Sequence, residues 1–187
     1  MSRILIILLI LSVTGANAQT DIKLVDTKVS KSINMSIPEL MSWVPETEIP
    51  SRHLSYRPPV ALFTSPDGKT DLAVNVSLTQ WDESDLDMMK DFYSSSIESL
   101  YTDVEFLEEK KHTINGREYV VLKFISKVEG TASPIDRTSI NKYTHIQYTI
   151  ANGKTYLFNF TCPASQQARW EKTAEEMMQT VKIKKTL

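Results

Sequence analysis

Residues 143–162 read YTHIQYTIANGKTYLFNFTC, and the fold turns on them. Asn152-Gly153 lies between two runs rich in β-branched and aromatic residues, and both positions accept the positive φ that a two-residue type I′ hairpin demands. With that loop, Ile150 faces Thr155, Tyr148 faces Leu157 and Ile146 faces Asn159 on one side. Tyr156, Phe158, Phe160 and Cys162 point to the other. Both sides are then largely apolar. A sheet with one wet face would place a polar residue at every second position, so these strands belong in a sheet covered on both faces, and the covers are expected to be helices.

The neighbouring segments supply the rest of that sheet. Residues 104–128 form a second hairpin around Asn115-Gly116, with VVLKFI apolar enough for an interior strand and EEKKH on its partner. Residues 60–78 form another, turning at Ser65-Pro66-Asp67-Gly68, where Pro at the first central position and a closing Gly suit a type I turn with a glycine bulge. Residues 29–37 alternate Val, Lys, Ile, Met, Ile against serines and Asn34, which reads as an edge strand, and Pro38 then opens a brief helical turn, PELMSW. Two helices complete the set. In the first, Ser84 with Asp87 resembles a capping box and Leu86, Met89, Tyr93, Ile97 and Leu100 recur at helical spacing. The second runs from Pro163 to about Thr180, with Trp170, Ala174, Met177 and Val181 on one stripe, and Val181-Lys182-Ile183 adds a short closing strand. The expectation is an α+β domain: a mostly antiparallel sheet of about six to eight strands flanked by helices on both faces, an α/β/α sandwich.

The N-terminus reads as an export signal. Arg3 is the only charge before Asp21, residues 4–11 form an apolar run of secretory length, and Ala16-Asn17-Ala18 is a small-x-small cleavage site. This gives a leader peptide at residues 1–18, a short lead-in at 19–28 and one domain at 29–187, exported to a periplasm or out of the cell. Cys162 is the only cysteine, so there is neither an internal disulfide nor a lipoprotein cysteine at the cleavage point. Nothing later is apolar enough for a transmembrane anchor. A formal net charge of −2 with no basic run argues against a nucleic-acid partner.

The order of elements, and above all YLFNFTCPASQQARWEKTAEEMMQTVKI at residues 156–183, resembles the PsbP-like and DcrB-like families of small exported α/β/α sandwiches. The likeness covers residues 29–183 and is one of layout, with no diagnostic motif to carry over. It implies a non-enzymatic binding or assembly-accessory role, since members of this class serve as extrinsic photosystem subunits, envelope proteins and chaperone-like adaptors. The calcium or manganese association of the photosynthetic members is not transferred.

The residues themselves offer little chemistry. Beyond the leader the glycines are Gly68, Gly116, Gly130 and Gly153, each in a turn or loop, so no phosphate-cradling loop exists. There is no G-x-S-x-G elbow, H-E-x-x-H helix or C-x-x-C pair. His53, His112 and His145 are scattered. His112 and His145 can meet across neighbouring strands, but nothing supplies a third ligand at fixed spacing, so no metal, cofactor or catalytic residue is assigned. Asp82, Glu83, Asp85 and Asp87 read as helix capping, Cys162 as core, and Trp81, Tyr93, Tyr156, Phe158 and Trp170 as sandwich filling. The sequons at Asn34, Asn75 and Asn159 all fall in expected strands, where a glycan would disrupt packing, which favours a bacterial envelope.

Two binding hypotheses follow, with an unassigned hydrolase third. The first is an exported module that grips an envelope protein through the proline-rich loop at residues 44–59, with Arg52, His53, Tyr56 and Arg57 as candidate contacts. The second is a carrier of a small apolar ligand, lined by Met88, Met89, Met177 and Met178, whose plainer role is core packing.

Overall fold

Asn152 and Gly153 have φ of 51° and 66°, and the strands they join pair as Ile150 with Thr155, Tyr148 with Leu157 and Ile146 with Asn159. That is the register set by a two-residue loop. The computed structural model describes residues 21–49, 58–129 and 139–184. Within them the strands are β1 (Leu24–Lys28), β2 (Ile33–Pro38), β3 (Ser42–Trp43), β4 (Ala61–Thr64), β5 (Asp71–Leu78), β6 (Asp103–Ile114), β7 (Arg117–Glu129), β8 (Ser139–Ala151), β9 (Lys154–Pro163) and β10 (Lys182–Ile183). The helices are α1 (Leu86–Leu100) and α2 (Gln167–Gln179).

Seven strands form one antiparallel sheet in the order β3-β4-β5-β9-β8-β7-β6, and β1-β2-β10 form a separate small one. Sequential hairpins build the two halves of the large sheet, and the non-local β5–β9 pairing joins them. Its two faces fill different cores. Tyr156, Phe158, Phe160 and Cys162 pack with Leu72 and Val74 against Trp170, Ala174, Met177 and Met178 of α2, and against Ile33, Met35 and Ile37 of β2. On the reverse face Val120, Leu122, Phe124, Tyr148 and Ile150 pack against Leu86, Met89 and Ile97 of α1. The sandwich is therefore helix on one face, and helix plus small sheet on the other.

Several local expectations are corrected. Residues 29–37 do not edge the large sheet. Their strand, β2, is the middle strand of the small one, and Leu24–Lys28, read as lead-in, is its partner β1. After Pro38 the chain makes a tight turn, Met41 N–H to Pro38 C=O at 2.8 Å, and then a strand, not a helix. Trp43 thereby stands edge-on to Phe63, 5.0 Å between ring centroids. The helix start also lies two residues earlier than Ser84 and Asp87 suggest, because Asp82 N–H donates to Asp85 Oδ2 at 2.8 Å and a 3₁₀ turn, Glu83–Asp85, leads into α1. Asp87 is left to pair with Lys111 across to β6. Leu100, expected on the core face, is 74% exposed because the helix ends there. Asn34, Asn75 and Asn159 do lie in strands.

The C-terminal end of α2 is latched by two side chains and one backbone N–H from three other elements. Asn115 Nδ2, in the β6–β7 turn, donates to Val181 C=O at 2.9 Å, Gln147 Nε2 on β8 donates to Met178 C=O at 3.2 Å, and Ser36 N–H on β2 donates to Thr180 Oγ1 at 2.8 Å. Asn115 Nδ2 also donates to Gln179 C=O at 3.3 Å, so carbonyls at the helix end that lack a partner within the helix are satisfied.

The hairpin turn gives a direct test. A Cβ at Gly153 meets nothing within 4 Å, so Gly153→Ala penalises only the left-handed backbone. The expected loss is about 1 kcal/mol, seen by calorimetry as a melting point lower by about 2–4 °C; an unchanged melting point would mean the turn is not of this type.

Candidate functional site

Polar side chains collect where the sheet passes under the outer part of α2. One transverse row reads Leu72, Phe160, His145, Lys123, Glu108 from β5 across to β6. Toward β5 the row is apolar; from β7 outward it carries charge. The change of character depends on a β-bulge. Phe106 pairs with Phe124 but Glu108 pairs with Lys123, so Leu107 is the extra residue. It stands 41% exposed. Without it Glu108 would point with Phe106 toward α1, whereas the bulge turns it onto the Lys123 face.

Lys123 is the hub. Its ammonium lies 2.6 Å from Glu108 Oε2 and also donates to Glu175 Oε1 of α2, so it ties the helix to two strands. His112 Nε2 is 2.6 Å from Glu108 Oε1, and Lys110 Nζ is 3.0 Å from the same oxygen. An ionised carboxylate only accepts, so the His112 ring donates from Nε2. Burial acts to raise the Glu108 carboxyl, but hydrogen bonds from Lys123, His112 and Lys110 overcome it and hold the group at about 2. Lys123 shows the mirror image. Burial disfavours its charge, and the hydrogen bonds to Glu108 and Glu175 more than restore it.

His145 lies beside this cluster, only 3% exposed, with neither ring nitrogen hydrogen-bonded. Burial, then the Lys123 charge, lowers it to about 3, so at neutral pH the ring is uncharged. His112 and His145 share the cleft, but β7 runs between their strands, so Lys123 separates what the sequence places on neighbouring strands. The cleft holds about 420 Å³, with Gln147 and Gln179 completing its polar wall. Among the described residues no group of three or more His, Cys, Asp or Glu could hold a metal ion.

Other expected residues fall elsewhere. Arg52, His53, Tyr56 and Arg57 lie outside the described residues. Met89, Met177 and Met178 are fully buried in the two cores, Met88 is 60% exposed, and they form no common lining. Cys162 is buried, and burial pushes its thiol up to about 12. The Glu108–Lys123–Glu175 bridge gives no sign in the sequence. Its residues lie on two strands and a helix, and EEKKH has no alternation from which the bulge can be read.

No protein-family model and no curated protein matches the sequence. Solved structures do. Cyanobacterial PsbP (CyanoP) from Synechocystis sp. PCC 6803 superposes with a TM-score of 0.61 at 11% identity, over 93% of this chain and 99% of that one. The fold is PsbP-like. The Ran-binding protein Mog1p of Saccharomyces cerevisiae matches with a TM-score of 0.55 at 12% identity, over 87% of this chain and 96% of that one. LpqN, involved in cell envelope biogenesis of Mycobacterium tuberculosis, matches with a TM-score of 0.56 at 10% identity, over 87% and 91%. At such identities the likeness is one of fold. No helix among the described residues is long and apolar enough to cross a membrane.

Two measurements probe the cluster. Lys123→Met leaves Glu108, 15% exposed, without its main counter-charge. The expected cost is about 2 kcal/mol by urea unfolding, below the usual figure for a broken buried pair because His112 and Lys110 remain. Lys123→Met with Glu108→Leu should recover most of that loss; no recovery would show that packing, not charge, sets the cost. The pH response has a definite sign. His145 has a folded pKa below its ordinary 6.5, so its contribution is whole above about 6.5 and drains away as pH falls toward 3. Glu108 acts the same way lower down, from 4.5 toward 2. His145→Leu should flatten the urea midpoint between pH 6.5 and 4.5, and a slope equal to wild type would exclude His145 as its source.

Proposed function

We propose that this protein is an exported, non-enzymatic binding or assembly-accessory module of the cell envelope, held in the periplasm or secreted after cleavage behind Ala18. The observation that carries the reading is the burial of four groups otherwise able to do nucleophilic or acid–base work. Tyr143 is 0%, Cys162 1%, His145 3% and Lys123 8% exposed. Their titration points the same way. A catalytic acid or base works best near ambient pH, whereas burial moves Tyr143 and Cys162 up, His145 goes down to about 3, and Lys123, with its ion pairs, goes up. The cluster under α2 is built to hold a helix, not to turn over a substrate.

Three further points support the reading. The neighbours in fold include a Ran-binding protein and a protein of cell envelope biogenesis. The apolar run at residues 4–11 and the small-x-small pattern at Ala16-Asn17-Ala18 support a route out of the cytoplasm. The loop of residues 44–59 is anchored at its start, where Val44 and Ile49 pack on Leu62 and Ala73, and Arg52, His53, Tyr56 and Arg57 are proposed as its partner contacts.

The test is native mass spectrometry on the full-length product gently released from its source envelope. A mature chain beginning at Gln19 in a stoichiometric protein complex is expected, and Tyr56→Ala with Arg57→Ala should weaken that complex while shifting the melting point by no more than about 2 °C. An uncleaved cytoplasmic chain, a monomer carrying an added mass of a few hundred daltons, or a complex indifferent to the loop would each overturn its part of the proposal.

A further inference from the structure

Helix α1 buries Leu86, Met89 and Ile97 against the sheet, yet its outward side is not polar. Met88 is 60% and Phe92 57% exposed. Four residues apart, they are neighbours on the helix surface. Phe92 is also braced. Its ring lies 6.4 Å from Trp81 and 5.5 Å from Tyr93, and Tyr93 lies 5.0 Å from the buried Tyr148. A braced aromatic and a thioether side by side in water resemble the anchors of a recognition surface more than solvated helix positions.

The charge around this pair is predominantly negative. Asp87, Asp91 and Glu98 run down the flank beside Met88, all exposed, and Asp82, Glu83 and Asp85 crowd the approach to the helix. Within α1 the only cation is Lys90, which sits between Asp91 and Glu109 at 3.0 and 3.5 Å. From the sheet, Lys111 reaches Asp87 at 2.8 Å and Arg117 reaches Glu83 at 3.4 Å. Three cations against six acids leave the face negative, and Asp87 and Asp91 keep most of their side chains in water, 68% and 75% exposed.

We propose that the outward face of α1 docks a basic amphipathic segment of a partner protein, with Met88 and Phe92 receiving its apolar side chains and the acidic flank pairing with its lysines or arginines. The proposal rests on the accessory-module reading and names the surface and the partner chemistry. A second copy of this chain fits poorly, because two-fold pairing would set the acidic flank against itself. An anionic bilayer is repelled by the same charge.

The experiment uses the mature protein labelled at its methionine methyls. Met35, Met41, Met89, Met177 and Met178 are buried and serve as internal controls for Met88. The probe is a synthetic amphipathic helical peptide of leucine and lysine, with its leucine–glutamate counterpart as control. The Met88 resonance is expected to move with the basic peptide alone, the effect weakening with added salt. Met88→Ser with Phe92→Ser is expected to weaken binding roughly tenfold without altering the five control resonances. No Met88 shift, an equal shift with the acidic peptide, a shift with phosphatidylglycerol vesicles instead, or self-association that the double variant abolishes would each overturn the proposal. An envelope complex retained undiminished by Met88→Ser/Phe92→Ser would overturn this docking face alone, whereas absence of any complex in wild type would overturn the accessory-module reading itself.

Discussion

The constraint on which the structure depends is that the β8–β9 hairpin is apolar on both sides. Phe158 and Phe160 are fully buried on one face, Tyr148 and Ile150 are buried on the other, and a strand so placed has no face to give to water. Two covers are therefore obligatory, and each is supplied by the chain that leaves the sheet nearest to it. Chain leaving β9 turns at Pro163 and lays α2 back on the Phe160 face, where Trp170 meets Phe160 at 5.8 Å between centroids. Chain leaving β5 lays α1 on the Tyr148 face. Short connections join most neighbouring strands, and the β5–β9 pairing closes the sheet across distant parts of the chain.

The two covers are fixed by different physics. α2 combines a buried apolar stripe with directed polar ties: Lys123 to Glu175 midway along, and Asn115, Gln147 and the Ser36 N–H at its end. Burial gives the helix its affinity for the sheet, since apolar area is the main favourable term. The polar ties add little net stability but select one axial position, because a slide of one turn would carry Glu175 away from a buried lysine and leave it with Glu108 alone. By contrast, α1 is held by its apolar face and by salt bridges in water, Lys111 to Asp87 and Arg117 to Glu83, which contribute weakly. Its outer surface is thus free of structural duty.

That asymmetry separates the stabilising half of the molecule from the half open to recognition. On the α2 side the ionisable groups are committed to one another, and His145 is kept neutral by its surroundings. On the α1 side apolar side chains and carboxylates face solvent together: Phe92 leans on Trp81 and Tyr93 with only part of its ring, and the packing of the domain does not require Met88 to be apolar.

Residues read singly and in short patterns determined the hairpins, their turns and the antiparallel character of the sheet, because a turn with positive φ at Asn152 or Asn115 and its flanking alternation are interactions between near neighbours. They also placed both helices. They failed where a pattern had two physical outcomes. An alternating strand at residues 33–38 satisfies a large sheet or a small one equally, and only the tertiary packing of β2 under α2 made it the latter. PELMSW fits a helical turn, but pairing of Trp43 with Phe63 drew it into a strand. The Lys123 bridge was decided wholly in three dimensions. One bulged residue, Leu107, reverses which way the rest of β6 faces, and in a run of charges no side-chain periodicity records the reversal. Local order in this chain is set by backbone geometry and alternation; the choice of cover, the direction of a bulged strand and the company a buried charge keeps are set by what the rest of the chain brings to meet them.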